Sequence, residues 1–196
     1  MTKINRRTAL ASILAVAACS SGPVPTDTFY RLRSANPPSR VGGPVKGVAE
    51  VLPLRGEGII NERAILYRVS ETELRQYTYH FWADVPAAML QNELIGALRK
   101  ANAFDSVVKP ELRLNRDFEI AGRISKLEHD TAGTAKAILE IEFSVRRVAG
   151  NRQALMKTYT AEVDAAGSSV AAVVDAFSEA FGHVVTAFVA DLAGLA

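Results

Sequence analysis

The chain has 196 residues, with 23 Lys and Arg against 21 Asp and Glu and a formal net charge of +2. Its single cysteine excludes an internal disulfide and a cysteine-built metal centre. The length suits one domain of ordinary size plus an amino-terminal extension, and no internal repeat is visible.

The opening MTKINRRTALASILAVAACSSG places Lys3, Arg6 and Arg7 before the uncharged, mostly apolar stretch Ala9 to Ala18. As a helix that stretch spans ~15 Å, about half a bilayer core, so it reads as the h-region of a signal peptide. It ends in Val16-Ala17-Ala18-Cys19, which resembles the bacterial lipobox. The resemblance implies a signal peptide over residues 1–18, cleavage before Cys19, lipid on the Cys19 sulfur and acylation of its new amine. Two or more acyl chains hold a protein firmly in a bilayer. Lipoproteins retained at the inner membrane often carry Asp after the cysteine. Ser20 stands there instead, which points to the periplasmic face of the outer membrane rather than to the inner membrane. No later stretch reads as long and apolar enough to span a bilayer. Without Lys3, Arg6 and Arg7 the mature chain has 20 basic against 21 acidic residues, near −1, which leaves no basic field to recruit a nucleic acid.

Residues 19–45 read as the lipidated amino terminus and a Pro/Gly-rich tether with a short strand at FYRLR, 29–33. The nine residues 20–28 reach at most ~30 Å, so the domain stays near its membrane. Residues 46–196 read as a single α+β periplasmic domain. KGVAEVLPL (46–54) suggests a strand whose Pro53 marks an edge or an end. AILYRV (64–69) and 74–81 suggest a hairpin about Ser70-Glu71-Thr72-Glu73. Period two puts Tyr77, Tyr79 and Phe81 on one face, and Thr78, His80 and Trp82 on the other. Pro86 sets helical φ, Asp84 is a candidate cap, and Leu90, Leu94, Leu98 and Ala101 predict a helix over about 86–102. A short strand at 104–109 follows.

Three longer strands alternate cleanly, with Phe118, Ile120 and Ile124, then Ala137 to Val145, then Leu155 to Val163 on the apolar side. Such alternation predicts an antiparallel sheet buried on one face. Turns are expected at 129–134 and 149–152. A closing helix, capped by Ser168 or Ser169, carries an apolar stripe from Val170 to Leu192. The expected fold is α+β: a mainly antiparallel sheet with two helices packed on one face, in two layers.

Chemistry-bearing motifs are scarce. His80, on a strand, His129, in a turn, and His183, on a helix's polar side, lie far apart in sequence with no metal-ligand spacing. There is no phosphate loop, glycine fingerprint or Gly-x-Ser-x-Gly, so an enzyme is not expected, nor a cofactor beyond the covalent lipid on Cys19. Arginine is in excess, sixteen against seven lysines. Arg55, Arg63, Arg68 and Arg75 crowd the region before the only tryptophan. They form either surface ion pairs with Glu57, Glu62, Glu71 and Glu73 or part of a protein contact surface, since Arg, Tyr and Trp are enriched in such surfaces. Arg68, Arg75, Tyr77, Tyr79 and Trp82 are the candidate partner-binding residues. A strand sends neighbouring rings to opposite faces, so YTYHFW cannot close as an aromatic cage. It reads as a strand-to-helix corner.

The order lipobox, FYRL, VAEVLPL, RAILYR, YTYHFWADVPAAMLQNELIGAL and FDSVV resembles the auxiliary lipoprotein component of ABC-type transporters, the group containing paraquat-inducible protein C. Trp82-Ala83-Asp84-Val85-Pro86, with Met89, Leu90 and Leu94 behind it, carries the resemblance most strongly. It implies a partner role beside a mammalian-cell-entry (MCE) domain periplasmic protein, an inner-membrane permease and an ATPase that move lipid between membranes. The lipoprotein would dock the MCE tube to the outer membrane, as a possible homo-oligomeric ring. A lipid-carrying lipoprotein and an assembly factor for another outer-membrane complex are the alternatives.

Overall fold

A computed structural model gives the fold and describes residues 25–34, 44–132 and 135–195. The expected signal peptide, Cys19 and most of the expected tether lie outside the described residues. The elements run β1 (Thr28–Tyr30), β2 (Val45–Val51), β3 (Arg55–Gly56), β4 (Ala64–Ser70), β5 (Glu73–Trp82), α1 (Pro86–Lys100), β6 (Phe104–Val108), β7 (Phe118–Asp130), β8 (Lys136–Arg147), β9 (Arg152–Asp164) and α2 (Val170–Leu192).

All nine strands form one sheet, and β7 is its spine. Along one edge of β7 runs β8, antiparallel over nearly the whole strand, followed by antiparallel β9. Along the other edge three short strands stand end to end, all parallel to β7. They are β2 against Phe118–Ile120, β3 against Arg123–Ile124 and β4 against Glu128–Asp130. β2 carries parallel β6, β4 carries antiparallel β5, and β5 carries parallel β1. Five of the eight pairings are parallel, so the sheet is mixed, and the expectation of a mainly antiparallel sheet is corrected. Alternation reports that one face is buried; it does not report strand direction. Beside the parallel contacts the alternation itself lapses: Ala49, Glu50 and Val51 of β2 and Phe118, Glu119 and Ile120 of β7 are buried in succession, as residues of parallel strands usually are.

The inner face follows the alternating residues. Ile120, Ile124, Leu139, Ile141, Phe143 and Val145 are fully buried there. Both helices share one hydrophobic core with that face. Phe188 of α2 stacks on Phe143 at 4.5 Å and meets Tyr159 edge-on at 5.7 Å, which ties the helix to β8 and β9. Trp82 meets Phe177 at 5.7 Å and ties the same helix to the end of β5. Gly122 makes this packing possible: a Cβ there would lie 2.7 Å from Leu54 and 2.9 Å from the Phe143 ring.

Of the two candidate caps of α2, Ser169 is the one used, accepting from the Ala172 N–H at 3.2 Å. Asp84 does not cap α1: Val85 occupies the cap position, and the Asp84 carboxylate accepts the adjacent Val85 N–H instead. Contrary to the sequence expectation, Val170–Leu195 is long and apolar enough to cross a bilayer. It is a core helix whose valines and phenylalanines are buried against the sheet, while its outer side is rich in alanine, a small residue that raises hydropathy without an apolar stripe. β1 and the buried Leu32 join the folded body, so the sheet begins ahead of residue 46.

Candidate functional site

The aromatic stretch of β5 is not a regular strand. Ala64 pairs with Phe81 and Leu66 with Gln76, so the four residues 77–80 stand against Ile65 alone. Tyr79 takes up the excess chain with φ +63, a left-handed conformation that side chains with a Cβ seldom adopt. The period-two assignment of these rings therefore fails.

Two bulge residues, Tyr77 and His80, enter tyrosine–histidine hydrogen bonds. The Tyr77 hydroxyl shares a 2.6 Å hydrogen bond with Nδ1 of His129, and the Tyr30 hydroxyl shares a 2.9 Å bond with Nδ1 of His80. Tyr67 packs on Tyr77 at 4.7 Å between ring centroids. His129 is the last inner-facing residue of β7, not part of a turn; it is 4 % exposed, and its Nε2 has no partner among the described residues. Burial depresses its pKa against the opposing pull of Asp130, and burial raises that of the Tyr77 hydroxyl, with Tyr67 adding to it. A general base must touch its substrate. A ring this enclosed is a packing element with a polar edge.

The five candidate contact residues do not form one patch. Trp82 is 1 % exposed and lies in the core, so its ring is unavailable to another molecule. Its position is held from both sides: its N–H donates to the Arg63 carbonyl, and Arg63 Nε donates to the Trp82 carbonyl. Arg68 bonds Asp130 at 2.7 Å and Glu71 at 3.0 Å and stands 3.5 Å from Glu128. The hydrogen bond to Asp130 is the main reason its pKa rises. Arg75 is exposed and pairs with Glu73. Tyr79 is 43 % exposed and Tyr77 half-buried. The ion-pair reading of the arginines thus holds for Arg68 and Arg75, whereas Arg63 lies over the Phe29 ring at 5.1 Å.

A second arginine–carboxylate group went unread in the sequence. Glu50 on β2 and Glu119 on β7 are register partners, 4 % and 8 % exposed. Arg116 reaches Glu50 at 3.0 Å and Glu119 at 2.5 Å, and Arg146 bonds the other oxygen of Glu119. Burial acts to raise the pKa of Glu119, but the hydrogen bonds from Arg116 and Arg146 outweigh it and hold the group below its ordinary value. The available signal was an acid set inside the apolar runs VAEV and FEI. Among the described residues no group of three or more His, Cys, Asp or Glu could hold a metal ion.

The sequence matches the family model of the ABC-type transport auxiliary lipoprotein component over residues 30–189. The chain belongs to that family. Among solved structures it is similar to XCC0632 from Xanthomonas campestris, described under DUF330, with 22% identity, a TM-score of 0.78, and coverage of 86% of this chain and 95% of that one. A second crystal structure, of an uncharacterized protein, aligns with 13% identity and a TM-score of 0.66, over 87% of this chain and 98% of that one. Both likenesses concern the fold. No curated protein matches the chain.

Proposed function

We propose that this family member is the docking component of an MCE-type ABC transporter that moves phospholipid between the inner and outer membranes. In this reading it is non-catalytic, takes no cofactor, is held by acyl chains on Cys19 at the periplasmic face of the outer membrane, and works as a homo-oligomeric ring around the end of the MCE tube. The family match over residues 30–189, behind an amino terminus that resembles a lipobox, is the observation that carries it. The exposed Arg75 and Tyr79 remain the contact candidates, while the burial of Trp82 withdraws it.

A lipid-carrying role would require an apolar cavity between sheet and helices. The inner face is instead filled by Phe118, Phe143, Phe177, Phe181 and Phe188, all fully buried. A depression of about 660 Å³ opens at the surface, beside Arg31, Arg33, Asp84 and Glu93, and not between the sheet and the helices. The docking reading is therefore preferred. Its test is affinity purification of the lipoprotein from detergent-solubilised membranes. Recovery of an MCE-domain protein is expected, weakened by Arg75→Glu with Tyr79→Ser. Recovery of bound phospholipid with no MCE protein would replace docking with carriage.

A further inference from the structure

Residues 111–117, between β6 and β7, are exposed without a break. Two of them are leucines, Leu112 at 58% and Leu114 at 50% exposure, among the most exposed large apolar side chains of the described residues. Between them Arg113 adopts φ +49, so the chain turns sharply at a charged residue with a leucine on either side. The surroundings are basic. From residue 99 to 117 there are five cations, Arg99, Lys100, Lys109, Arg113 and Arg116, against Asp105, Glu111 and Asp117, whose carboxylate accepts the Val48 N–H. Arg116 is taken up by Glu50 and Glu119, and Asp105 by Lys46. Arg99 and Lys109 bond a carbonyl and an amide oxygen, the Val107 backbone and Asn92, so both keep their charge uncompensated. Among the described residues no carboxylate lies within ion-pair distance of Arg99, Lys100, Lys109 or Arg113. The mature chain as a whole is near −1, which makes this end of the sheet a local exception.

From this juxtaposition we infer that the loop is a membrane-contact site, seating Leu112 and Leu114 among the headgroups of an anionic lipid surface while Arg113 between them and Arg99, which lines the same depression as both leucines, face its phosphates. Apolar side chains flanked by Lys and Arg suit an interface between water and lipid. Each cation near such a surface adds attraction that fades within a Debye length. A protein partner fits less well, because lysine is depleted from interface cores and leucine is under-represented among hot spots. The inference rests on the lipid anchor only for proximity. A tethered domain meets its own bilayer far more often than a free one, so a modest surface affinity is enough to orient it.

The full lipoprotein provides the test, because lipidation consumes its one natural cysteine. Asn115→Cys and Met156→Cys, both at exposed positions, each give a single site for an environment-sensitive fluorophore. The labelled proteins are reconstituted into vesicles of phosphatidylethanolamine and phosphatidylglycerol that carry a headgroup-level nitroxide lipid. Flotation reads the anchor, and the quenching ratio between the two sites reads the loop. Quenching at 115 is expected to exceed that at 156 by about threefold or more. It should fall to the level at 156 with Leu112→Ser plus Leu114→Ser, and should weaken with Arg113→Glu or in phosphatidylcholine vesicles. Equal quenching at both sites in vesicles that float would overturn the inference and leave the anchor standing. Failure to float would remove the anchor, and the same ratio at raised vesicle concentration would then decide the loop. Shielding of 115 that arises only when transporter proteins are added also overturns it, and assigns the loop to protein docking.

Discussion

The two ends of β7 solve one problem in different ways. At each end a short parallel strand joins the spine, and an arginine serves carboxylates that the sheet has drawn out of water. At the amino end Glu50 and Glu119 share Arg116, Arg146 adds a second cation, and the opposite face carries the fully buried Phe118 and Ile120. At the carboxyl end Arg68 alone faces Glu128, Asp130 and Glu71, and the opposite face carries His129 and Tyr77 where hydrocarbon could have been. Among the described residues Arg68 Nε and His129 Nε2 are buried there with no hydrogen-bond partner, as Arg147 Nε is at the amino end. Burial raises the pKa of Glu128, while two cations hold that of Glu119 down. The amino end meets its two buried carboxylates with two cations and leaves only Arg147 Nε, over the Phe118 ring, without a partner; the carboxyl end sets one arginine against three carboxylates beside a buried imidazole, and yields more easily to changes in pH.

Three measurements break or sharpen this contrast. The largest effect is expected from arginine removal. Arg116→Met leaves Glu50 without a cation and Glu119 with Arg146 alone, and should lower the urea midpoint more than Arg68→Met does, because Glu128 can take up a proton and Glu71 is already solvated. The urea midpoints of the two variants, taken at one pH, rank the ends; a larger loss at Arg68 would reverse the comparison. Next comes Tyr77→Phe, which removes the only partner of the His129 ring and should cost about 1 kcal/mol in the same assay. An unchanged midpoint would mean that the hydrogen bond contributes nothing net.

The smallest effect is a slope. The folded pKa of His129 lies below its ordinary value of 6.5, so the unfolded chain binds more protons between the two values. Stability should therefore fall as pH drops through the region just below 6.5. Glu128 acts in the opposite sense: its raised folded pKa makes the folded chain the better proton binder above 4.5. His129→Gln should flatten the decline of Tm on acidification, and Glu128→Gln should steepen it. Parallel curves for wild type and His129→Gln would show that the ring does not set the slope.

Much of this architecture was legible in the residues. The stripe of α2, the alternation of β8 and β9 and the turn at Ala149-Gly150-Asn151 come from local periodicity, and the structure keeps them. Strand direction was not legible, because the parallel contacts of β2, β3 and β4 with β7 join residues more than fifty positions apart. The bulge at 77–80 escaped notice because alternation assumes equal chain length on both partners. His129 resembled a turn residue beside Asp130, Thr131 and Gly133, yet pairing with Tyr67 extends β7 through it. Trp82 illustrates an ambiguity of residue type: the area that suits tryptophan to an interface suits it equally to a core, and only the position of Phe177 decides.

The spine strand also governs how the molecule can be made. Every neighbour on its parallel edge is synthesised earlier, from residue 45 to residue 70, while the spine itself begins at 118. Until then the hairpin of β4 and β5 and the strands β2 and β6 have no common seam. A nascent chain must carry two open borders through translocation and close them together late. Such non-local joining is slow and prone to mispairing. Biogenesis should therefore be the step most sensitive to loss of periplasmic chaperones, with the finished body far less dependent on them.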